Sequence, residues 1–138
     1  MKKTIFGLAV LTALIIAGCS KSDDGGGSRE KMIQGKWTPS SIKVYVIDRS
    51  LNTSNTTYPA VHAGDYWDFR GDGKLYTYET DPNGGHSYDT VPYKFGNPSL
   101  FIDGDTLSVG ALTKDSLVLE LHEGKATQDW FTTYTLKK

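Results

Sequence analysis

The residue types that most often catalyse reactions or bind metals are few in this chain and lie far apart. The histidines, His62, His86 and His122, have no second ligand at the short spacings that zinc sites use. The aspartates within 65–72 fall in a predicted strand and a glycine turn, where a carboxylate has a local backbone role. No serine stands in a nucleophile-elbow pattern. We therefore expect no metal, no cofactor and no enzymatic activity.

The chain has a single cysteine, Cys19, and it follows a segment with the pattern of an export signal. Two lysines precede a mostly apolar run over 5–17, which is shorter than the roughly 20 residues that a membrane-spanning helix needs. With Ile-Ala-Gly at 16–18, the segment resembles the lipobox of bacterial lipoproteins. The resemblance implies a signal peptide over 1–18, lipidation of Cys19, and anchoring in the outer membrane.

Residues 19–32 have the composition of a flexible tether, because serines, aspartates and three consecutive glycines offer nothing to pack. Lys21-Ser22-Asp23-Asp24 resembles the surface-export signal of Bacteroidetes-type lipoproteins, which would place the protein on the cell surface. The alternative is a solvated linker that faces the periplasm.

Composition limits the partners of the remaining chain. The 138 residues include 15 Lys+Arg and 16 Asp+Glu, a net charge of −1, and no basic block that would suit nucleic acid. The length fits one domain, which we place at residues 33–138.

From Gly35 onward, runs rich in Val, Ile, Thr and aromatic residues alternate with Gly, Asn, Asp and Pro, which predicts an all-β domain. Alternation places Trp67 and Phe69 on one face of their strand, and Trp130 and Tyr134 on one face of the last. Eight strands are predicted, at 37–47, 64–70, 74–80, 87–95, 99–103, 106–112, 116–123 and 127–137.

Two parts of this pattern stay undecided. Segment 48–63 is polar and long, which predicts a mobile loop that either covers a barrel mouth or is a surface insertion without function. In the third strand, either Leu75 and Thr77 or Tyr76 and Tyr78 point inward.

Gly35-Lys36-Trp37, just before the first predicted strand, resembles the Gly-x-Trp signature of the lipocalin superfamily. Further segments resemble bacterial lipocalin-like lipoproteins, so that the resemblance extends over the whole predicted domain. These segments are 66–75, 116–120 and 134–138.

The resemblance implies a small antiparallel up-and-down barrel of about eight strands, with Trp37 plugging the closed end. Lipocalins also have an arginine that packs over this tryptophan, for which Lys137 and Lys138 are the substitutes here. A partly open barrel or a small sandwich is the alternative architecture.

An eight-stranded barrel is just wide enough to be filled by side chains or to hold one small ligand. The first hypothesis is a binding module for a small apolar or amphipathic molecule, lined by Trp67, Phe69, Trp130 and Tyr134. In the alternative the interior is filled, and the protein is an accessory subunit of a cell-surface assembly that contacts protein or glycan through outward tyrosines. Those tyrosines are Tyr45, Tyr66, Tyr76, Tyr78 and Tyr88.

Overall fold

The computed structural model describes residues 25–138, so the predicted signal peptide, Cys19 and the first part of the tether lie outside the described residues. Within 25–138, no helix is long and apolar enough to cross a membrane. The elements are α1 (Gly25–Ile33), β1 (Gly35–Asp48), β2 (Thr53–Thr57), β3 (Tyr66–Phe69), β4 (Lys74–Thr80), β5 (His86–Phe95), β6 (Ser99–Ile102), β7 (Asp105–Leu112), β8 (Ser116–Gly124) and β9 (Gln128–Lys137).

Antiparallel pairing closes the sheet into a barrel. The strand order is β2-β1-β3-β4-β5-β6-β7-β8-β9, and β9 also pairs with β1. Strands β1 and β3 to β9 therefore form a closed eight-stranded barrel, while β2 is an additional strand on β1. The predicted up-and-down barrel is confirmed.

The long strand β1 is shared between three partners. Its first residues, 35–37, pair with β3, whereas residues 44–48 pair with β2, and the other edge pairs with β9 over most of its length. Between residue 37, where the pairing with β3 ends, and residue 44, where the pairing with β2 begins, this edge of β1 has no strand partner. A side opening is thus left in the wall above Trp37, and the segment 58–65 passes next to it.

The structure shows that segment 48–63 contains a strand, and it decides which face of β4 points inward. Segment 48–63 is not a single loop, because Thr53–Thr57 pairs with β1 as a hairpin and is exposed throughout. That prediction was wrong over these five residues. In β4, Leu75 is 2 % exposed and points into the core, whereas Tyr76 and Tyr78 face outward.

Helix α1 differs from the predicted tether, because Gly25–Ile33 is helical within the segment 19–32 that the sequence assigned to a flexible linker. Ile33 is fully buried against the barrel core. The helix is followed by Gly35 at a φ of 108°, a conformation that favours glycine just after a helix. The Gly35 of the signature therefore turns the chain from α1 into β1.

The core fills the end of the barrel next to α1, which we call the closed end. It is made of side chains that alternate with exposed ones along each strand. The buried hydrophobic residues are Ile33, Trp37, Phe69, Leu75, Leu100, Leu107, Val109, Leu117, Leu119 and Leu136.

Candidate ligand site at the open end of the barrel

Trp37 seals the closed end and has no exposed surface. Its indole N–H donates a hydrogen bond of 2.6 Å to the carbonyl of Ile33. The ammonium of Lys138 lies 4.6 Å from the ring centroid and donates to the carbonyls of Met32 and Gln34. Of the two lysines considered as substitutes for the lipocalin arginine, Lys138 is thus the one that covers the tryptophan.

Trp67 and Tyr134 meet at the side opening, with their ring centroids 5.1 Å apart. Together with Ile42 they line a cavity of about 80 Å³, which we call the side pocket. The Trp67 indole donates a 3.0 Å hydrogen bond to Glu79. Burial raises the pKa of the Tyr134 phenol, and the Glu79 carboxylate raises it further. The phenol therefore stays protonated at neutral pH and can donate a hydrogen bond.

The segment after β2 covers the side pocket, because Ala60 and Val61 contribute to its lining. A buried carboxylate holds this segment in place: Asp65 is 6 % exposed. It accepts hydrogen bonds from the backbone N–H of His62 and from both the backbone N–H and the hydroxyl of Thr80. Within segment 48–63, it is therefore the part after β2 that covers the side pocket.

Trp130 lies further toward the opposite end of the barrel, which we call the open end. With Val46, Asn55 and Gln128 it lines a cavity of about 290 Å³ between β1, β2 and β9, which we call the mouth cavity. The Nε1–H of Trp130 is buried and has no hydrogen-bond partner among the described residues. A buried donor without a partner is unusual in folded proteins and calls for an explanation.

The mouth cavity also has a fixed negative charge. Hydrogen bonds from Ser50 and Gln128, with a backbone bond from Leu51, lower the pKa of Asp48 to about 2. The carboxylate is therefore ionised at neutral pH. The side-chain amide of Gln128 bridges from β9 to this carboxylate over 3.0 Å and holds the two strands together at the rim.

The four residues predicted to bind ligand do not form one site. Trp67 and Tyr134 share the side pocket, whereas Trp130 lines the separate mouth cavity. Phe69 is fully buried in the core, edge-on to Tyr93 at 5.1 Å, and offers no exposed surface to a ligand.

The outward tyrosines also divide into two groups. Tyr66, Tyr78 and Tyr88 lie side by side across β3, β4 and β5, with ring centroids 5.8 Å and 4.8 Å apart, and we call them the tyrosine row. Tyr76 is the neighbouring outward residue of β4, two positions before Tyr78, and the guanidinium of Arg70 lies over its ring. Tyr45 is far from these and packs against Phe131 of β9.

The sequence analysis missed the largest of these cavities, a groove of about 490 Å³ on the outer face of β7, β8, β9 and β1. His122 and Phe131 both lie in it. Alternation of apolar and polar residues along each strand places both side chains on the outward face. Only the pairing of β8 with β9 shows that they are neighbours. No group of three His, Cys, Asp or Glu side chains suited to a metal occurs within residues 25–138.

No protein-family model matches the chain, and no curated protein matches it in sequence. Three solved structures are similar. A lipocalin-like protein from Bacteroides uniformis is 16% identical with a TM-score of 0.49, covering 78% of this chain and 98% of its own. An uncharacterized protein from Bacteroides eggerthii is 14% identical with a TM-score of 0.43, covering 76% and 98%. A triple mutant of bovine odorant binding protein is 15% identical with a TM-score of 0.44, covering 78% and 74%.

Proposed function

We propose that this protein is a lipid-anchored outer-membrane binding module, not an enzyme, and that it holds a small amphipathic molecule at the open end of its barrel. The ligand lies in the mouth cavity against Trp130. Its far end reaches toward Trp67 and Tyr134 at the side pocket.

The single observation that carries this proposal is the unpaired indole N–H of Trp130. Leaving a buried donor unsatisfied costs about 1–3 kcal/mol, so a protein gains stability when the donor finds an acceptor. A ligand that enters the mouth cavity and displaces the groups covering this nitrogen supplies the acceptor, with a carbonyl, hydroxyl or ether oxygen. The same ligand covers the indole ring and Val46 with its apolar part.

The cavities limit the size and the charge of the ligand. Small-molecule sites commonly measure about 300–1,000 Å³, so the mouth cavity at about 290 Å³ suits a small molecule. The side pocket, at about 80 Å³, admits only a small chemical group. Asp48 is ionised at the rim, and the ammonium of Lys125 lies 5.3 Å from the centroid of the Trp130 ring, so charges of both signs flank the site and favour a ligand with no net charge.

The anchor and the location rest on the sequence segment that ends in Cys19. Helix α1 joins the barrel at its closed end, where Ile33 is buried. An anchor attached before α1 would therefore hold the closed end toward the membrane and leave the mouth cavity facing away from it. This orientation keeps the site open to ligands in the surrounding medium.

Native mass spectrometry of the full lipoprotein, purified from its own membrane in mild detergent without denaturation, tests the proposal. We expect a discrete extra mass on the wild type, lost in Trp130→Ala and reduced in Trp67→Ala. Tyr88→Ala is the matched control, because this aromatic residue is 76% exposed on the outer face and should keep the extra mass. A wild type without extra mass, or a Trp130→Ala variant that retains it, would contradict the proposal.

The tyrosine row favours a second candidate function, in which the protein is an interaction subunit of a cell-surface assembly. Its three rings lie next to one another across neighbouring strands, with Tyr66 and Tyr78 stacked, Tyr88 tilted against Tyr78, and Tyr88 largely exposed. Exposed aromatic residues are common anchors of protein interfaces. If a protein partner rather than a small molecule accompanies the purified lipoprotein, and Tyr88→Ala rather than Trp130→Ala releases it, this second function replaces the first.

A further inference from the structure

The 490 Å³ groove, which we call the outer groove, lies on the opposite face of the wall from the barrel core. Along β8, buried Leu117 and Leu119 alternate with Glu120 and His122, which point away from the core. The lining residues of β1, β7 and β9 are mostly the outward ones of their strands. The outer groove is thus separate from both the mouth cavity and the side pocket.

One side of the outer groove is a row of three aromatic rings. His122, Phe131 and Tyr45 are direct cross-strand partners on β8, β9 and β1. The His122 and Phe131 rings are parallel within 3° at a centroid distance of 4.4 Å, and Tyr45 lies 6.1 Å beyond Phe131. Since neighbouring strands are about 4.8 Å apart, the row is about 10 Å long.

The other side of the outer groove is a row of hydrogen-bonding groups two residues further along the same strands. Glu120, Thr133 and Lys43 are again direct cross-strand partners, and Ser108 continues the row on β7. None of the side-chain hydrogen bonds or ion pairs found among the described residues engages Glu120 or Lys43. The row therefore offers a free acceptor, a free donor and two hydroxyls, with charges that cancel.

We propose that the outer groove binds a saccharide. Because the His122 and Phe131 rings face each other, the row presents their apolar ring edges to the groove. The apolar C–H face of a sugar ring packs against such a surface, and the hydroxyls at its edge both donate and accept hydrogen bonds. The outer groove supplies these two surfaces side by side, over a length that accommodates a disaccharide unit. Because the charges of Glu120 and Lys43 cancel, the outer groove favours a neutral ligand over an anionic one.

This site is independent of the proposed function at the open end, because no side chain lines both cavities. The two rows also differ from the tyrosine row, which lies on β3, β4 and β5. The outer groove combines aromatic rings with exposed hydrogen-bonding groups in one recess.

Isothermal titration calorimetry of the full lipoprotein in mild detergent, against cellohexaose, laminarihexaose, maltohexaose, xylohexaose and mannohexaose in turn, tests the saccharide site. We expect at least one hexasaccharide to bind with a dissociation constant between micromolar and millimolar. Phe131→Ala should weaken that binding about tenfold or more. Phe101→Ala is the matched control, because Phe101 is exposed on the outer face of β6 (42% against 37% for Phe131) but does not line the outer groove.

Glu120→Gln provides a second variant that does not depend on the packing of Phe131. It keeps the shape of an exposed side chain while removing the charge, and it should weaken binding severalfold. Trp130→Ala should leave saccharide binding unchanged, which separates this site from the mouth cavity. Absence of heat with all five hexasaccharides, or equal effects of Phe131→Ala and Phe101→Ala, would overturn the proposal.

Discussion

The two ends of the barrel use the same residue type in opposite ways. At the closed end, Trp37 is fully buried, its N–H is bonded to Ile33, and Lys138 covers its face. At the open end, the Trp130 ring lines a cavity and its buried N–H has no partner among the described residues. One tryptophan completes a core, whereas the other leaves an interaction unmade.

This difference shows how stability and binding are divided within one small barrel. Core packing and hydrogen bonds at the closed end fix the shape of the wall. The open end can then keep polar side chains and an unsatisfied donor, which lower stability but remain free for a ligand. Three substitutions test this division, from the largest expected effect to the smallest.

Trp37→Ala should cause the largest loss. Removing a buried tryptophan leaves a cavity and an unpaired Ile33 carbonyl, and such truncations cost about 3–5 kcal/mol of unfolding free energy. Urea unfolding of the protein, followed by circular dichroism, measures this. Tyr88→Ala, at an exposed position, should change the free energy by less than about 0.5 kcal/mol. A loss below about 1.5 kcal/mol for Trp37→Ala would show that the closed end is not the main source of stability.

Asp65→Ala should have an intermediate effect that is confined to the open side of the barrel. The substitution leaves the N–H groups of Thr80 and His62 without their acceptor, at a cost of about 1–3 kcal/mol. Hydrogen exchange of the Thr80 amide should accelerate while core amides change less. Asp89→Ala, an exposed position whose carboxylate bonds only locally, is the control. Unchanged exchange at Thr80 would show that Asp65 does not hold the covering segment.

Trp130→Phe should have the smallest effect on stability. The informative result is whether it raises or lowers the free energy of unfolding. Phenylalanine keeps an aromatic ring while removing the unpaired donor, so the unfolding free energy should stay within about 0.5 kcal/mol or rise. Trp37→Phe is the matched comparison, and it should destabilise because it removes a satisfied hydrogen bond. If Trp130→Phe and Trp37→Phe lose the same free energy of unfolding in urea, the two tryptophans do not differ in the way proposed here.

Much of the barrel was predictable because alternation of apolar and polar residues is local. The strands with buried leucines, such as β8 with Leu117 and Leu119, were found with nearly correct bounds. Strand β2 was missed because Thr53–Thr57 is polar on both faces, so only its hydrogen bonds to β1 make it a strand. The inward face of β4 was undecided because each face carries a side chain that can enter a core, Leu75 on one face and Tyr76 on the other.

The sites were less predictable because they depend on where each residue lies along the barrel axis and on the register between neighbouring strands. Alternation shows that Phe69 and Trp130 face inward, but it does not show that one lies in the core and the other at the mouth. The outer groove depends on His122, Phe131 and Tyr45 being partners across three strands. A single sequence does not contain that alignment.

The pairing of β1 with β9 has a consequence for how the chain reaches its native state. The hydrogen bond between Asp48 and Gln128 joins residues 80 positions apart, and such distant pairings make β-proteins slow to fold, on the millisecond-to-second scale. Until β9 is in place, β1 and β8 each present an open edge that other chains can join. Synthesis that stops before residue 128 would therefore yield a fragment with two open strand edges that is prone to aggregate, and β9 is the strand that covers both edges.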